Sequence, residues 1–274
     1  MSTFDVAREL LTCCSARLDT GPDAAGTAFF VSPGYAVTAA HVAGGVIGSA
    51  VQLSEGTDCW SGQVVDVRPT TANRPTPGAP YPAPDLALIR ISDGPEHSCA
   101  LLRGELTLHS RVLVRGYTRR FPSDGPTAET ERFKLSGDLE TPCPGCTLLK
   151  LSSGEVARGM SGAPVLDLRA GAIVGMLRTS RLLDSDLGGW VVPAGVIRES
   201  WPEVAAAHDR FHEHDTRWRT KAAALAGGQL GDRGGSSAPA PLIGKARIGT
   251  MTLITGDVGN VTMHHHGEPE LGAS

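Results

Sequence analysis

Three residue types in this 274-residue chain are placed to do acyl-transfer chemistry, and the serine among them is the most informative. Ser161 lies in Ala157-Arg158-Gly159-Met160-Ser161-Gly162-Ala163-Pro164-Val165. Glycines on both sides make this a poor helix and a good tight turn, because glycine adopts dihedrals that other residues resist. Such a turn aims the amides of Gly159 and Ser161 into one pocket, where two N–H groups suit a developing oxyanion. A serine hydroxyl is a weak nucleophile, so it needs a base and a group to orient that base. The base candidate is His41, at the end of the second of two short strands in Gly26-Thr27-Ala28-Phe29-Phe30-Val31-Ser32-Pro33-Gly34-Tyr35-Ala36-Val37-Thr38-Ala39-Ala40-His41. The orienting acid is Asp85, at the mouth of the apolar run Leu86-Ala87-Leu88-Ile89. Asp58 and Asp66 compete for that part, and His41 taken alone reads as a buried structural histidine.

The order along the chain is histidine, aspartate, serine, which differs from the orders of subtilisin-like enzymes and α/β-hydrolases. With Thr38-Ala39-Ala40-His41, Asp85-Leu86-Ala87-Leu88 and Gly159-Met160-Ser161-Gly162-Ala163-Pro164, the chain resembles the trypsin-like, chymotrypsin-fold serine peptidases over roughly residues 8 to 205. The resemblance implies an all-β fold of two six-stranded antiparallel barrels with a C-terminal helix. It also implies a peptide-cleaving triad of His41, Asp85 and Ser161, an oxyanion hole of Gly159 and Ser161, and no cofactor. By the same resemblance Glu155, Arg178, Thr179 and Ser180 line the substrate pocket. Glu155 there favours Lys or Arg before the cut, unless Arg178 cancels it or attracts an acidic side chain. Digestive relatives carry an aspartate immediately before the nucleophile for their activating ion pair. Met160 stands at that position, so activity is expected to depend on partner binding or assembly instead.

The elements around these residues read as a β protein. Glycine (34) and proline (19) are plentiful, and 41% of residues are hydrophobic, which favours short strands and turns over a helical bundle. A strand at 10–18 opens the chain, although residues 5–11 also suit a short helix. Strands follow near 25–32, 35–40, 49–54, 60–68 and 86–92, then near 111–117, 131–138, 147–151, 162–168, 172–178 and 189–193. Barrel one thus spans about 8–98 and barrel two about 105–195, within a peptidase domain at 1–205. Between 194 and 226, Val196, Ile197, Trp201, Val204, Ala205, His208 and Phe211 recur at helical steps, predicting one C-terminal helix. A Gly, Ser, Ala and Pro-rich linker is expected at 227–241 and a β-prone interaction tail at 242–274.

In that tail Ile248-Gly249-Thr250-Met251-Thr252-Leu253 is echoed by Val258-Gly259-Asn260-Val261-Thr262-Met263. Two such segments cannot bury a core alone and must pair with other strands. They resemble the amyloid-type signalling motifs of some bacterial effectors. That resemblance implies a sensor with a matching motif, or self-assembly through 243–267, as partner beside the protein substrate. A net charge of −4 gives no general attraction to nucleic acid or to an anionic membrane. The first residues lack a secretory pattern, so a cytoplasmic location is expected, with the six cysteines reduced. Cys143-Pro144-Gly145-Cys146 reads as a turn flanked by thiols, since nothing nearby completes a metal site. Two alternatives stand beside the peptidase effector: an adaptor built on the same barrels, and a quality-control peptidase resembling the HtrA group.

Overall fold

The computed structural model describes residues 2–21, 24–70, 81–104, 107–118, 126–141, 146–180 and 187–231. The tail at 242–274, most of the expected linker and Cys143 lie outside them. Among the described residues, twelve strands form two closed antiparallel barrels. Barrel one comprises β1 (Ser15–Gly21), β2 (Ala24–Ser32), β3 (Tyr35–Ala39), β4 (Ala50–Glu55), β5 (Asp58–Arg68) and β6 (Leu86–Asp93), in the order β1-β2-β3-β6-β5-β4. Barrel two comprises β7 (Arg111–Thr118), β8 (Thr127–Glu140), β9 (Thr147–Ser152), β10 (Pro164–Asp167), β11 (Ala172–Ser180) and β12 (Gly189–Pro193). Read round from β7, its order is β7-β8-β9-β12-β11-β10, the same winding as barrel one.

Strand alternation explains why the central strands are apolar on both faces. In β2, Phe30 fills barrel one while Phe29 and Val31 turn outward into a second core shared with barrel two. Ala87 and Ile89 of β6 likewise point into the barrel, and Leu86 and Leu88 into the shared core. From the other side, Leu166, Ile173 and Met176 enter the shared core, while Val165, Val174 and Leu177 fill barrel two. A period of two between two dry spaces yields the near-continuous hydrophobic run that follows Asp85 in β6. The barrels are therefore joined by packed side chains, and whatever each contributes to a site at their junction is held firmly.

Two expectations need correction. The opening strand at 10–18 gives way to a helix, α1 (Thr3–Cys14), and β1 begins only at Ser15. A capping box fixes the helix start: Ser2 Oγ accepts the Asp5 amide at 3.2 Å, and Asp5 returns a bond to the Ser2 amide at 3.0 Å. Val6, Ala7, Leu10, Leu11 and Cys14 then form one helical face buried in the shared core. The single C-terminal helix is instead three: α2 (Ala194–Ser200), α3 (Pro202–His214) and α4 (Thr216–Gly231). Pro202 cannot donate a helical hydrogen bond and suits a first helical position, so the chain breaks at Trp201. Asp215 is extended and caps the next start by accepting the Arg217 amide at 2.9 Å. Backbone of α4 continues to Gly231, into the stretch expected as linker.

Candidate active site

His41 lies two residues past the end of β3, and Asp85 immediately precedes β6, the strand paired with β3. That pairing sets Ala39 opposite Leu86, so the two side chains leave the sheet at the same edge. Asp85 has a left-handed backbone (φ 62°), a conformation that aspartate tolerates better than most residues. Its carbonyl accepts the Ala40 amide at 3.2 Å, which holds that conformation. Its carboxylate is 1% exposed, and an unpartnered charge there would cost several kcal/mol. Three donors answer it. His41 gives its own amide to Oδ1 at 3.0 Å and its Nδ1 to Oδ2 at 2.7 Å, and Arg178 Nε donates to Oδ2 at 3.2 Å. Nδ1 is held by the carboxylate, Nε2 has no hydrogen-bond partner among the described residues, and the side chain is 37% exposed.

The serine turn reaches barrel one through its backbone. Thr27, in β2, donates its amide to the Ser161 carbonyl at 3.0 Å and its hydroxyl to the Gly159 carbonyl at 2.9 Å. The same hydroxyl accepts the Tyr117 amide from β7 at 2.9 Å, and the Thr27 carbonyl accepts the Thr38 hydroxyl at 2.6 Å. Thr38 is three residues before His41, so one buried threonine ties the serine turn to the strand that carries the histidine. Both flanking glycines are needed. Gly159 (φ 97°) and Gly162 (φ 91°) are left-handed, and a Cβ on them would land on the carbonyl oxygens of Tyr117 and Thr27 respectively.

Within the turn, the Met160 amide folds back to the Ala157 carbonyl at 3.2 Å. Among the described residues, the amides on either side, of Gly159 and Ser161, donate to no partner. Met160 is fully buried in the core of barrel two, which accommodates it through Gly116, where any Cβ would meet the Met160 backbone at 2.9 Å. The exit from the turn is stitched to β11: Gly162 donates to the Leu177 carbonyl and Leu177 to the Ala163 carbonyl, both at 2.8 Å.

Of the residues expected in the substrate pocket, Arg178, Thr179 and Ser180 are consecutive in β11, and Glu155 adjoins Val156, which with the Thr179 carbonyl lies against Gly189 of β12. Glu155 is half-buried beside the bridge of Gly154 to Leu187, and Thr179 pairs with Trp190 across β11 and β12. Ser180 ends β11, and its side chain is outside the described part. Arg178 is only 13% exposed and is turned to Asp85 and to the Tyr81 carbonyl, so its head group lies beside the histidine's carboxylate. The competing acids are elsewhere: Asp66 accepts Trp201 Nε1 at 2.9 Å and pairs with Arg68, while Asp58 starts β5. Sequence reasoning missed Thr27 and the Arg178–Asp85 contact. Thr27 left one signal, a polar residue between Gly26 and a run of apolar ones.

Two closed barrels with a carboxylate-held imidazole at their junction define a peptidase architecture of the chymotrypsin type. Residues 26–176, more than half of the chain, match the family described as "Trypsin-like peptidase domain", and the chain belongs to it. Among solved structures it is similar to Rv3671c of M. tuberculosis H37Rv in an inactive serine-to-alanine mutant, at 19% identity and TM-score 0.56, covering 73% of this chain and 90% of that one. The Rv3671c protease in its inactive form gives 19% and 0.55 over 73% and 92%, and the active form from M. tuberculosis gives 22% and 0.53 over 72% and 83%. At such identities the likeness is one of fold. No curated protein matches the chain in sequence.

Proposed function

We propose that this chain is a serine endopeptidase that cleaves a protein substrate through His41, Asp85 and Ser161. The observation that carries the reading is the His41–Asp85 pair, with Nδ1 committed to the carboxylate at 2.7 Å and Nε2 left for a substrate-side proton. His41 accepts the Ser161 proton as the hydroxyl attacks a peptide carbonyl, then returns it to the leaving amine. Asp85 holds the tautomer, and the amides of Gly159 and Ser161 receive the oxyanion. Cys13, Cys14, Cys59 and Cys99 are free thiols, which supports work in a reducing compartment such as the cytoplasm.

Met160, buried in apolar surroundings, leaves no carboxylate before the nucleophile for an activating ion pair. Recruitment through the C-terminal tail is then the proposed trigger, in a bacterial defence or signalling role. Labelling of the full chain by a fluorophosphonate probe tests both parts. Wild type should react, Ser161→Ala should not, and the rate for wild type should rise when dilute protein is clustered. Equal labelling of wild type and Ser161→Ala would overturn the peptidase reading and favour an adaptor. A rate independent of clustering would remove the tail from its control.

A further inference from the structure

Arg178 is expected from the sequence to line the substrate pocket, yet its guanidinium is hydrogen-bonded to Asp85. Its place in β11 is irregular. Leu177 pairs with Val191 and Thr179 with Trp190, while Arg178 is the extra residue of a β-bulge between them. Bulges re-aim a side chain, and this one sends a long cation back across the barrel junction. Nε donates to Asp85 Oδ2 at 3.2 Å, the oxygen that also receives His41 Nδ1 at 2.7 Å. One guanidinium NH2 (Nη2) donates to the Tyr81 carbonyl, in the segment leading to Asp85. The Tyr81 ring lies against Gly45, in the loop that follows His41. One arginine thus touches the carboxylate and the segment that carries it.

We infer that Arg178 is a positioning residue that shares the Asp85 carboxylate with His41, fixing its orientation and limiting the negative charge it offers to a protonated imidazole. The inference rests on the peptidase reading for its catalytic meaning, although the charge sharing stands on geometry alone. A permanent cation within about 6 Å of the imidazole opposes formation of a second positive charge there. Asp85 favours that charge, so the two act in opposite directions on one proton. Among the described residues, the charged group hydrogen-bonded to the pair is Arg178, from β11. Arg178 thus weakens the attraction that Asp85 exerts on a protonated imidazole.

The test compares Arg178→Gln and Arg178→Lys with wild type in the full chain. Glutamine retains a donor and loses the charge, whereas lysine retains the charge. With Arg178→Gln the acidic limb of the kcat/KM profile should move up by about one pH unit, a Coulomb effect discounted for the exposure of the imidazole. With Arg178→Lys the limb should stay within a few tenths of a unit of wild type, whatever its turnover. The same comparison by NMR in a Ser161→Ala background follows the His41 ring directly, so it answers even if no substrate is ever cut. An unmoved limb and an unmoved His41 titration in Arg178→Gln would overturn the inference and leave Arg178 a scaffold. Failure of wild type to label with fluorophosphonate would instead overturn the peptidase reading.

Discussion

At the scale of single residues, Asp85 is the most constrained. It accepts two donors from His41 and one from Arg178, so both oxygens of its carboxylate are engaged. Asp85→Asn keeps the volume but turns an amide NH2 toward at least one of those donors. The imidazole then loses the partner that fixes its tautomer. Reaction with the fluorophosphonate should slow by about a thousand- to ten-thousand-fold while the fold is retained. A loss of less than about tenfold would contradict the part given to Asp85. Legibility differed sharply among these residues. Ser161 and His41 stand in local patterns, a glycine-flanked turn and a strand end. The Arg178–Asp85 contact joins positions 93 apart and depends on a bulge, which no local pattern announces.

At the scale of elements, the serine turn is fitted to its neighbours by backbone rather than by side chains. Gly162 is left-handed and sits where a Cβ would collide with the Thr27 carbonyl, a rigid strand atom. Gly162→Ala should therefore destabilise the protein by about 2–4 kcal/mol, combining dihedral strain with displacement of β2. Urea denaturation measures it, and a change under about 0.5 kcal/mol would show the turn to be looser than described. The strands around this turn were legible because glycine and proline punctuate them and alternation is strong. The N-terminal segment was not. Its Leu10, Leu11 and Cys14 suit a strand by composition, but the Ser2–Asp5 capping box and helical spacing of buried residues decide for α1. Likewise the apolar steps after residue 194 persist across Trp201-Pro202 and Asp215, so periodicity alone joined what proline and a capping aspartate separate.

At the scale of the whole molecule, the helices after barrel two return to the connection between the barrels. His208 Nε2 accepts the Leu102 amide at 3.0 Å, and His212 Nε2 lies 3.2 Å from the Ala100 carbonyl. Trp201 reaches Asp66 of barrel one at 2.9 Å. Burial lowers the affinity of both histidines for a proton, and for His212, with His208 close by, the value is pushed down to about 4. The unfolded chain binds that proton from about pH 6.5 downward, whereas the folded protein refuses it until near pH 4. This contribution to stability is complete above the unfolded value and falls away across that window, by about 3 kcal/mol for His212. Glu55, raised by burial, works in the opposite direction. His212→Gln isolates the term: its stability should vary less than that of wild type between pH 7 and pH 4.5 in urea titrations. Equal slopes would show that His212 already takes its proton in the folded state.

The proposed chemistry requires His41 to activate Ser161. Intact-mass analysis and peptide mapping after fluorophosphonate treatment address it directly, with His41→Ala alongside wild type. A single adduct on Ser161 is expected in wild type, and in His41→Ala its rate of formation should fall by several orders of magnitude. An adduct elsewhere in the chain, or equal modification of Ser161 without His41, would contradict it.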